Sequence, residues 1–275
     1  MSQTPRAAAV QMASGPNTTA NLIEAEGLIA DAVEAGAGLV VLPENFAFMG
    51  KHDRDLLNLA EPDGEGQLQT FLSRTARRYG IWLVGGTIPL RTADPGHVRS
   101  ASLIYGPRGD RVARYDKQHL FDVVLPGGDE RYQESATMEP GDQSPVVDTP
   151  FGRLGVLICY DLRFPEAARR MLDSGLELLA LPAAFTAQTG KAHWEILVRA
   201  RAIENLSYVI AAAQGGFHLS GRETYGHSMV VDPWGNVLDE VSGGSGQICC
   251  PLDLDLQASV RRTFPALEHR RLKCR

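Results

Sequence analysis

Cysteine is scarce: the 275 residues contain four, Cys159, Cys249, Cys250 and Cys274, and none stand in a CxxC pair. That excludes a disulfide-stapled scaffold and a thiolate cage of that spacing. Long apolar runs are missing too, since none reaches the roughly 18 residues of a membrane span. The first residues, Met1-Ser2-Gln3-Thr4-Pro5-Arg6, lead into a strand-like run without the apolar core of a signal peptide. Basic charge is not in excess. Twenty-seven Lys and Arg against 33 Asp and Glu leave a net charge of −6, with no basic run, which disfavours nucleic acid and membrane surfaces as partners. GxxxxGK[ST], a helix-opening GxGxxG and HExxH are all absent, which removes the common phosphate, dinucleotide and zinc-protease signatures. What is present is 44% hydrophobic and 22% charged residues, enough for a real core. A cytoplasmic globular protein is the expectation.

Short apolar runs alternate with amphipathic stretches. A strand is predicted over 7–12, then a helix capped by Thr18 or Thr19 and running to about Ala35, with Leu22, Ile23, Ala25, Ile29 and Val33 on its apolar face. The β-branched run 39–42 reads as a buried strand. A helix over 66–79, stopped by Gly80, precedes a strand over 81–86, and 98–105 with 111–115 forms a hairpin. Residues 116–144 read as a long ordered loop region. The second half repeats the rhythm, with strands over 155–158, 176–181 and 208–213 and helices over 165–172 and 191–205. Strands over 228–231 and 237–241 flank the turn Asp232-Pro233-Trp234-Gly235-Asn236, and a strand over 248–252 precedes a helix near 254–260. No composition break divides the chain, so one domain over 1–275 is expected, of mixed α/β class with strands enough for two stacked sheets covered by helices.

Several polar residues prove poor candidates. His218 and His227 are nine residues apart in a turn-rich region and read as solvated or structural rather than as metal ligands. Gly226-His227-Ser228-Met229-Val230 lacks the final glycine of a serine nucleophile elbow and precedes a strand, not a helix. Cys249 and Cys250, adjacent on a strand, point to opposite faces and read as packing residues. Cys159 differs. It follows Leu154-Gly155-Val156-Leu157-Ile158 and precedes a helix that Pro165 can open, so it stands at a strand-to-helix bend where α/β sheets bind ligands. The nearby helix N-terminus is expected to favour thiolate, although a lone cysteine after four apolar residues is ordinarily a small core residue. Glu44 stands just past the buried run 39–42, and Lys117 just past the strand over 111–115. Alone, each reads as a surface charge. Together they supply a base, an oxyanion-holding ammonium and an attacking thiol.

Those three residues lie in Leu42-Pro43-Glu44-Asn45-Phe46, Lys117-Gln118-His119-Leu120-Phe121-Asp122 and Ile158-Cys159-Tyr160-Asp161-Leu162-Arg163-Phe164-Pro165-Glu166. The chain here resembles the Nit branch of the nitrilase (carbon–nitrogen hydrolase) superfamily, with Tyr160 where true nitrilases carry tryptophan. The resemblance runs from about Ala7 to Arg271. It implies a four-layer α-β-β-α sandwich that associates into a homodimer or higher homo-oligomer, without metal or organic cofactor. It further implies that Glu44 is the general base, Cys159 the nucleophile and Lys117 the oxyanion stabiliser. Glu134 matches the family's second glutamate, and the Tyr160 backbone N–H would share the oxyanion. The implied reaction passes through a thioester, with ammonia departing and water completing hydrolysis.

The resemblance also implies a small amide substrate bearing a carboxylate. Arg163 matches the carboxylate-binding position, with a surface pairing to Asp161 or Glu166 as its alternative, and Phe185 and Thr189 match pocket positions. Two activities compete within the branch: hydrolysis of deaminated glutathione, a metabolite repair, and ω-amidase action on α-ketoglutaramate and α-ketosuccinamate. Tyr225 and Asp232 favour the first, because the ω-amidase type carries tryptophan and asparagine there. The loops over 127–133 and 214–224 are candidates for a more open mouth. A catalytically silent scaffold on the same fold is the rival from another class, opposed by the presence of all four of Glu44, Lys117, Glu134 and Cys159. The last residues, Leu272-Lys273-Cys274-Arg275, depart from the branch's usual ending.

Overall fold

A computed structural model describes residues 4–127 and 130–272. Their strands, in chain order, are β1 (Arg6–Gln11), β2 (Leu39–Val41), β3 (Trp82–Val84), β4 (Ile88–Arg91), β5 (Val98–Tyr105), β6 (Arg111–Asp116), β7 (Asp122–Val124), β8 (Arg131–Gln133), β9 (Val146–Thr149), β10 (Gly152–Val156), β11 (Leu178–Ala183), β12 (Tyr208–Ala213), β13 (Gly215–Phe217), β14 (Glu223–Tyr225), β15 (Ser228–Val231), β16 (Val237–Val241) and β17 (Gly246–Pro251). The helices are α1 (Thr18–Glu34), α2 (Gln67–Tyr79), α3 (Pro165–Leu172), α4 (Ala187–Asn205) and α5 (Leu254–Thr263).

Two sheets form. One runs β17-β1-β2-β3-β5-β4, with β6 also paired to β5; the other runs β16-β15-β12-β11-β10-β9. Each has three central parallel strands and antiparallel flanks. Alternation along β1 and β2 explains the layering. Ala7, Ala9, Leu39 and Val41 point into a core shared with β10–β12, while Ala8, Val10 and Val40 pack under α1 and α2. The second sheet's far face is covered by Ala168 and Met171 of α3 and by Trp194, Val198 and Ala202 of α4. The order is therefore α-β-β-α, as the resemblance implied. β17 crosses from the second half to pair with β1 in register Ala8↔Cys249. Cys250 consequently faces the inter-sheet core and Cys249 the helix layer, the opposite-face arrangement expected of strand neighbours.

Some expectations need correcting. Asn17, not Thr18 or Thr19, caps α1, its side chain accepting from the Ala20 N–H. Ile23 is 69% exposed and does not belong to the apolar face of α1. α4 begins four residues earlier than the apolar period suggested, because Thr186 supplies a cap that accepts from the Thr189 N–H. The 116–144 region contains the short ribbon β7–β8 rather than loop alone. Residues 128 and 129, within the 127–133 stretch expected to help form a mouth, lie outside the described residues. β4, β9, β13 and β14 are too short or too polar to read from alternation.

The topology brings one edge to attention. β2, β10 and β11 end there, and so does β6, whose last residue is followed by the Lys117 N–H donating to the Ser100 carbonyl at the start of β5. Among the described residues, no helix is long and apolar enough to cross a membrane.

Candidate active site

Glu44 follows Pro43 at the end of β2. Its backbone is held from both sides: Gln214 Nε2 donates to its carbonyl at 3.0 Å, and the next N–H, of Asn45, donates to Thr87 Oγ1 at 2.8 Å. Gly86, at φ +55°, runs so close beneath that a Cβ there would lie 2.2 Å from the Pro43 oxygen. The carboxylate is thereby fixed inside, at 4% exposure.

Lys117 is 1% exposed, an unusual place for an ammonium. Its Nζ donates to Glu44 Oε1 and to Glu134 Oε1, each at 2.9 Å. Glu134's other oxygen accepts the Phe121 N–H at 2.8 Å. Burial alone would lower the lysine's pKa, but Glu134 and Glu44 outweigh it and hold the ammonium charged well above the ordinary range. Burial pushes the Glu134 carboxyl up, Lys117 opposing and Glu44 reinforcing. One cation thus serves two carboxylates.

Cys159 opens a 3-10 turn over Cys159–Arg163 directly after β10, with φ +48°, a left-handed conformation that a non-glycine residue holds at a cost of order 1–3 kcal/mol. The turn is locked by Asp161. Its carboxylate accepts the Ile158 N–H at 3.0 Å, the His119 N–H at 2.9 Å and the Tyr115 hydroxyl at 2.7 Å, and meets His119 Nδ1 at 2.7 Å. The Ala184 N–H donates to Cys159 Sγ at 3.5 Å. The expectation of a thiolate is corrected: burial pushes the thiol well up, Glu44 adds to this, and Lys117 only partly offsets it. The helix that was expected to favour thiolate starts at Pro165, beyond the turn, and a helix dipole decays within its own first turn.

Sequence reasoning placed eight residues at a site, and the fold brings them together. Glu134, Cys159, Tyr160, Arg163, Phe185 and Thr189 line one cleft of about 260 Å³, with Lys117 and Glu44 behind Glu134. Arg163 does not pair with Asp161 or Glu166. It lies over the rings of Phe185 and Tyr160, 5.0 and 5.8 Å from their centroids, and its Nη1 meets His193 Nδ1 at 3.1 Å. Burial lowers its pKa, and among the described residues it has no carboxylate partner. Thr189 presents its hydroxyl to Thr186 Oγ1 at 2.9 Å in the first turn of α4. His218 bonds the Ser14 carbonyl and Thr224, and His227 pairs with Glu240. Among the described residues no cluster of His, Cys, Asp and Glu has the form of a metal site.

Two contributors escaped the sequence reading. Asp161 was visible only as a neighbour of the cysteine, because nothing local announces its partners Tyr115 and His119. Arg222 lay within a loop flagged as a possible mouth, without being singled out. It lines the cleft, donates to the Ala184 carbonyl, and covers the Tyr132 ring at 5.2 Å.

A profile for carbon–nitrogen hydrolases matches residues 6–262. A protein of Synechocystis named deaminated glutathione amidase is 45% identical over 267 residues, 96% of this chain and 97% of the relative. A human protein of the same name is 41% identical over 271 residues, 97% of this chain and 82% of the relative. The crystal structure of Saccharomyces cerevisiae Nit3, described as a member of branch 10 of the nitrilase superfamily, superposes with a TM-score of 0.87 at 34% identity, covering 99% of this chain and 98% of that one.

Proposed function

The chain belongs to the carbon–nitrogen hydrolase family, and from that premise we propose that it hydrolyses the amide of deaminated glutathione through a Cys159 thioester. The observation that carries this reading is the Lys117 ammonium, 2.9 Å from both Glu44 and Glu134, directly behind a cleft that Glu134 lines with the Cys159 thiol and the Arg163 guanidinium.

In this reading Arg163 pairs with the substrate's keto-acid carboxylate, for which a guanidinium fork is well shaped. Glu44 takes the proton that burial keeps on Cys159, and sulfur attacks the amide carbon. Lys117 and the Tyr160 backbone N–H receive the oxyanion, while Glu134 keeps the ammonium in place. Glu44 passes its proton to the departing nitrogen, the C–N bond breaks and a thioester remains. A water that gives its proton to Glu44 adds to the thioester carbon. Collapse returns the proton to sulfur and frees the acid.

One expectation changes with this substrate. Deaminated glutathione carries no primary carboxamide, so the leaving group is the amine of cysteinylglycine, not ammonia. Ammonia belongs to the ω-amidase substrates. The test is side-by-side turnover of deaminated glutathione, read as cysteinylglycine release, and α-ketoglutaramate, read as ammonia release, with Cys159→Ala as control. Higher kcat/KM for the former, lost in the variant, is expected. Preference for α-ketoglutaramate moves the protein to the ω-amidases, and silence on both substrates leaves the scaffold reading.

A further inference from the structure

The cleft at Cys159 is narrow, walled by Phe121, Tyr160, Arg163 and Phe185. In the amidase reading it takes the acyl half of the substrate, and the leaving half extends out of it. Beyond the cleft lies a second, open basin of about 1180 Å³, lined by Lys51, His52, Glu130, Arg131 and Tyr132 among others. Among the described residues, one side chain lines both spaces: Arg222. One of its terminal nitrogens donates to the Ala184 carbonyl and its guanidinium covers Tyr132, yet its Nε is shut from solvent and, among the described residues, has no hydrogen-bond partner. A buried donor left unsatisfied is costly, and a ligand acceptor would relieve it. Among the described residues, the ionised side chains lining the basin are Lys51, Arg131 and Arg222 against Glu130, an excess of positive charge.

We propose that Arg222 is a specificity-determining residue that binds the leaving-group side of the scissile amide, and that the cationic basin beyond it receives the leaving group's terminal carboxylate. This rests on the reading of the cleft as an amidase site. Arg163 and Arg222 then divide the substrate: one holds the acid that becomes the acyl-enzyme, the other the peptide that departs. An amide whose leaving group is ammonia has nothing to offer Arg222.

The experiment compares kcat/KM for deaminated glutathione and α-ketoglutaramate in the wild type, Arg222→Gln and Arg222→Lys. The ratio of the two values is expected to fall about 30-fold in Arg222→Gln, the range of a lost charged hydrogen bond, and less in Arg222→Lys, which keeps charge without Nε. A ratio within threefold of wild type in both variants overturns the proposal. Should Arg222→Gln fail to fold, the ratio in Arg222→Lys decides the role of Arg222, and the wild type supplies a separate readout of the basin. Amidating the glycine carboxylate of deaminated glutathione should raise KM about tenfold, and an unchanged KM overturns the role of the basin. A wild type inactive on both substrates defeats the amidase reading instead. Activity on α-ketoglutaramate alone defeats the Arg222 assignment and leaves amidase chemistry standing.

Discussion

The two ends of the cleft treat charge in opposite ways. At the inner end, Lys117 is held by Glu44 and Glu134, and Asp161 by four groups of Ile158, Tyr115 and His119, so each ion is answered by protein. At the rim, Arg163 and Arg222 rest on aromatic rings and, among the described residues, pair with no carboxylate. A buried ion with fixed partners is costly to disturb and does not need a ligand. A half-buried guanidinium on an aromatic shelf is desolvated without being neutralised, so an incoming anion gains most there. The inner end is therefore built for bond making and the rim for recognition.

Removing reacting groups is the hardest test of that division. Cys159→Ala should lower kcat/KM by about 10⁴-fold or more, as expected for a lost nucleophile, and leave the thermal midpoint near wild type; retained turnover would break the assignment of the inner end. Lys117→Met should cost about 10²–10³-fold through the oxyanion. It should also cost stability, ~3–5 kcal/mol at pH 7, because two buried carboxylates lose their shared cation. The sign of the pH dependence follows from the raised Glu134 carboxyl. A folded-state pKa above the unfolded value means the folded state takes up the proton first, so the variant regains stability as pH falls through that raised value toward 4.5. Urea unfolding at pH 7 and pH 5 checks this, and a deficit that widens on acidification would contradict it. In the wild type the same raised carboxyl should place the acid limb of kcat/KM above 4.5, with activity lost as pH falls.

How much of this was legible depends on the range of the interaction. The strands of the inter-sheet core were readable, because the apolar runs of β1, β2, β11 and β12 are local patterns, whereas their stacking into a four-layer sandwich came from the family resemblance. Glu44, Lys117 and Cys159 stood out because each follows a strand, and matched motifs joined them to Glu134. The state of the thiol was misread. Helix proximity is written in sequence, whereas burial and the approach of Glu44, 115 residues earlier in the chain, are not. Asp161 and Arg222 were missed for the same reason, their partners Tyr115, His119 and Ala184 being distant in sequence. Ile23 shows the converse failure, an apolar residue on the right period that the helix leaves in water.

Smaller effects should come from the rim. Arg163→Gln is expected to reduce kcat/KM about 10–10²-fold, mainly through KM, and Arg163→Lys to recover only part of this because the fork is lost. Equal losses in kcat alone would place Arg163 with the inner machinery and erase the division. The finest test touches neither arginine. The β13–β14 hairpin that carries Arg222 docks on the other wall through the Tyr225 N–H, which donates to the Phe185 carbonyl at 3.0 Å, and through a bridge between Thr186 and Thr224. The closeness of that dock depends on Gly190 in the first turn of α4, where an added Cβ would lie 2.2 Å from the Cβ of Tyr225. Gly190→Ala must push the hairpin outward, at a cost of about 1–3 kcal/mol for overpacking. Arg222 moves with the hairpin, whereas Glu44, Lys117 and Cys159 belong to the ends of β2, β6 and β10. A shift of a few-fold in selectivity between deaminated glutathione and α-ketoglutaramate, at nearly constant kcat for the latter, is the expected outcome. A matching fall in kcat for both would mean that the rim and the inner end move as one body.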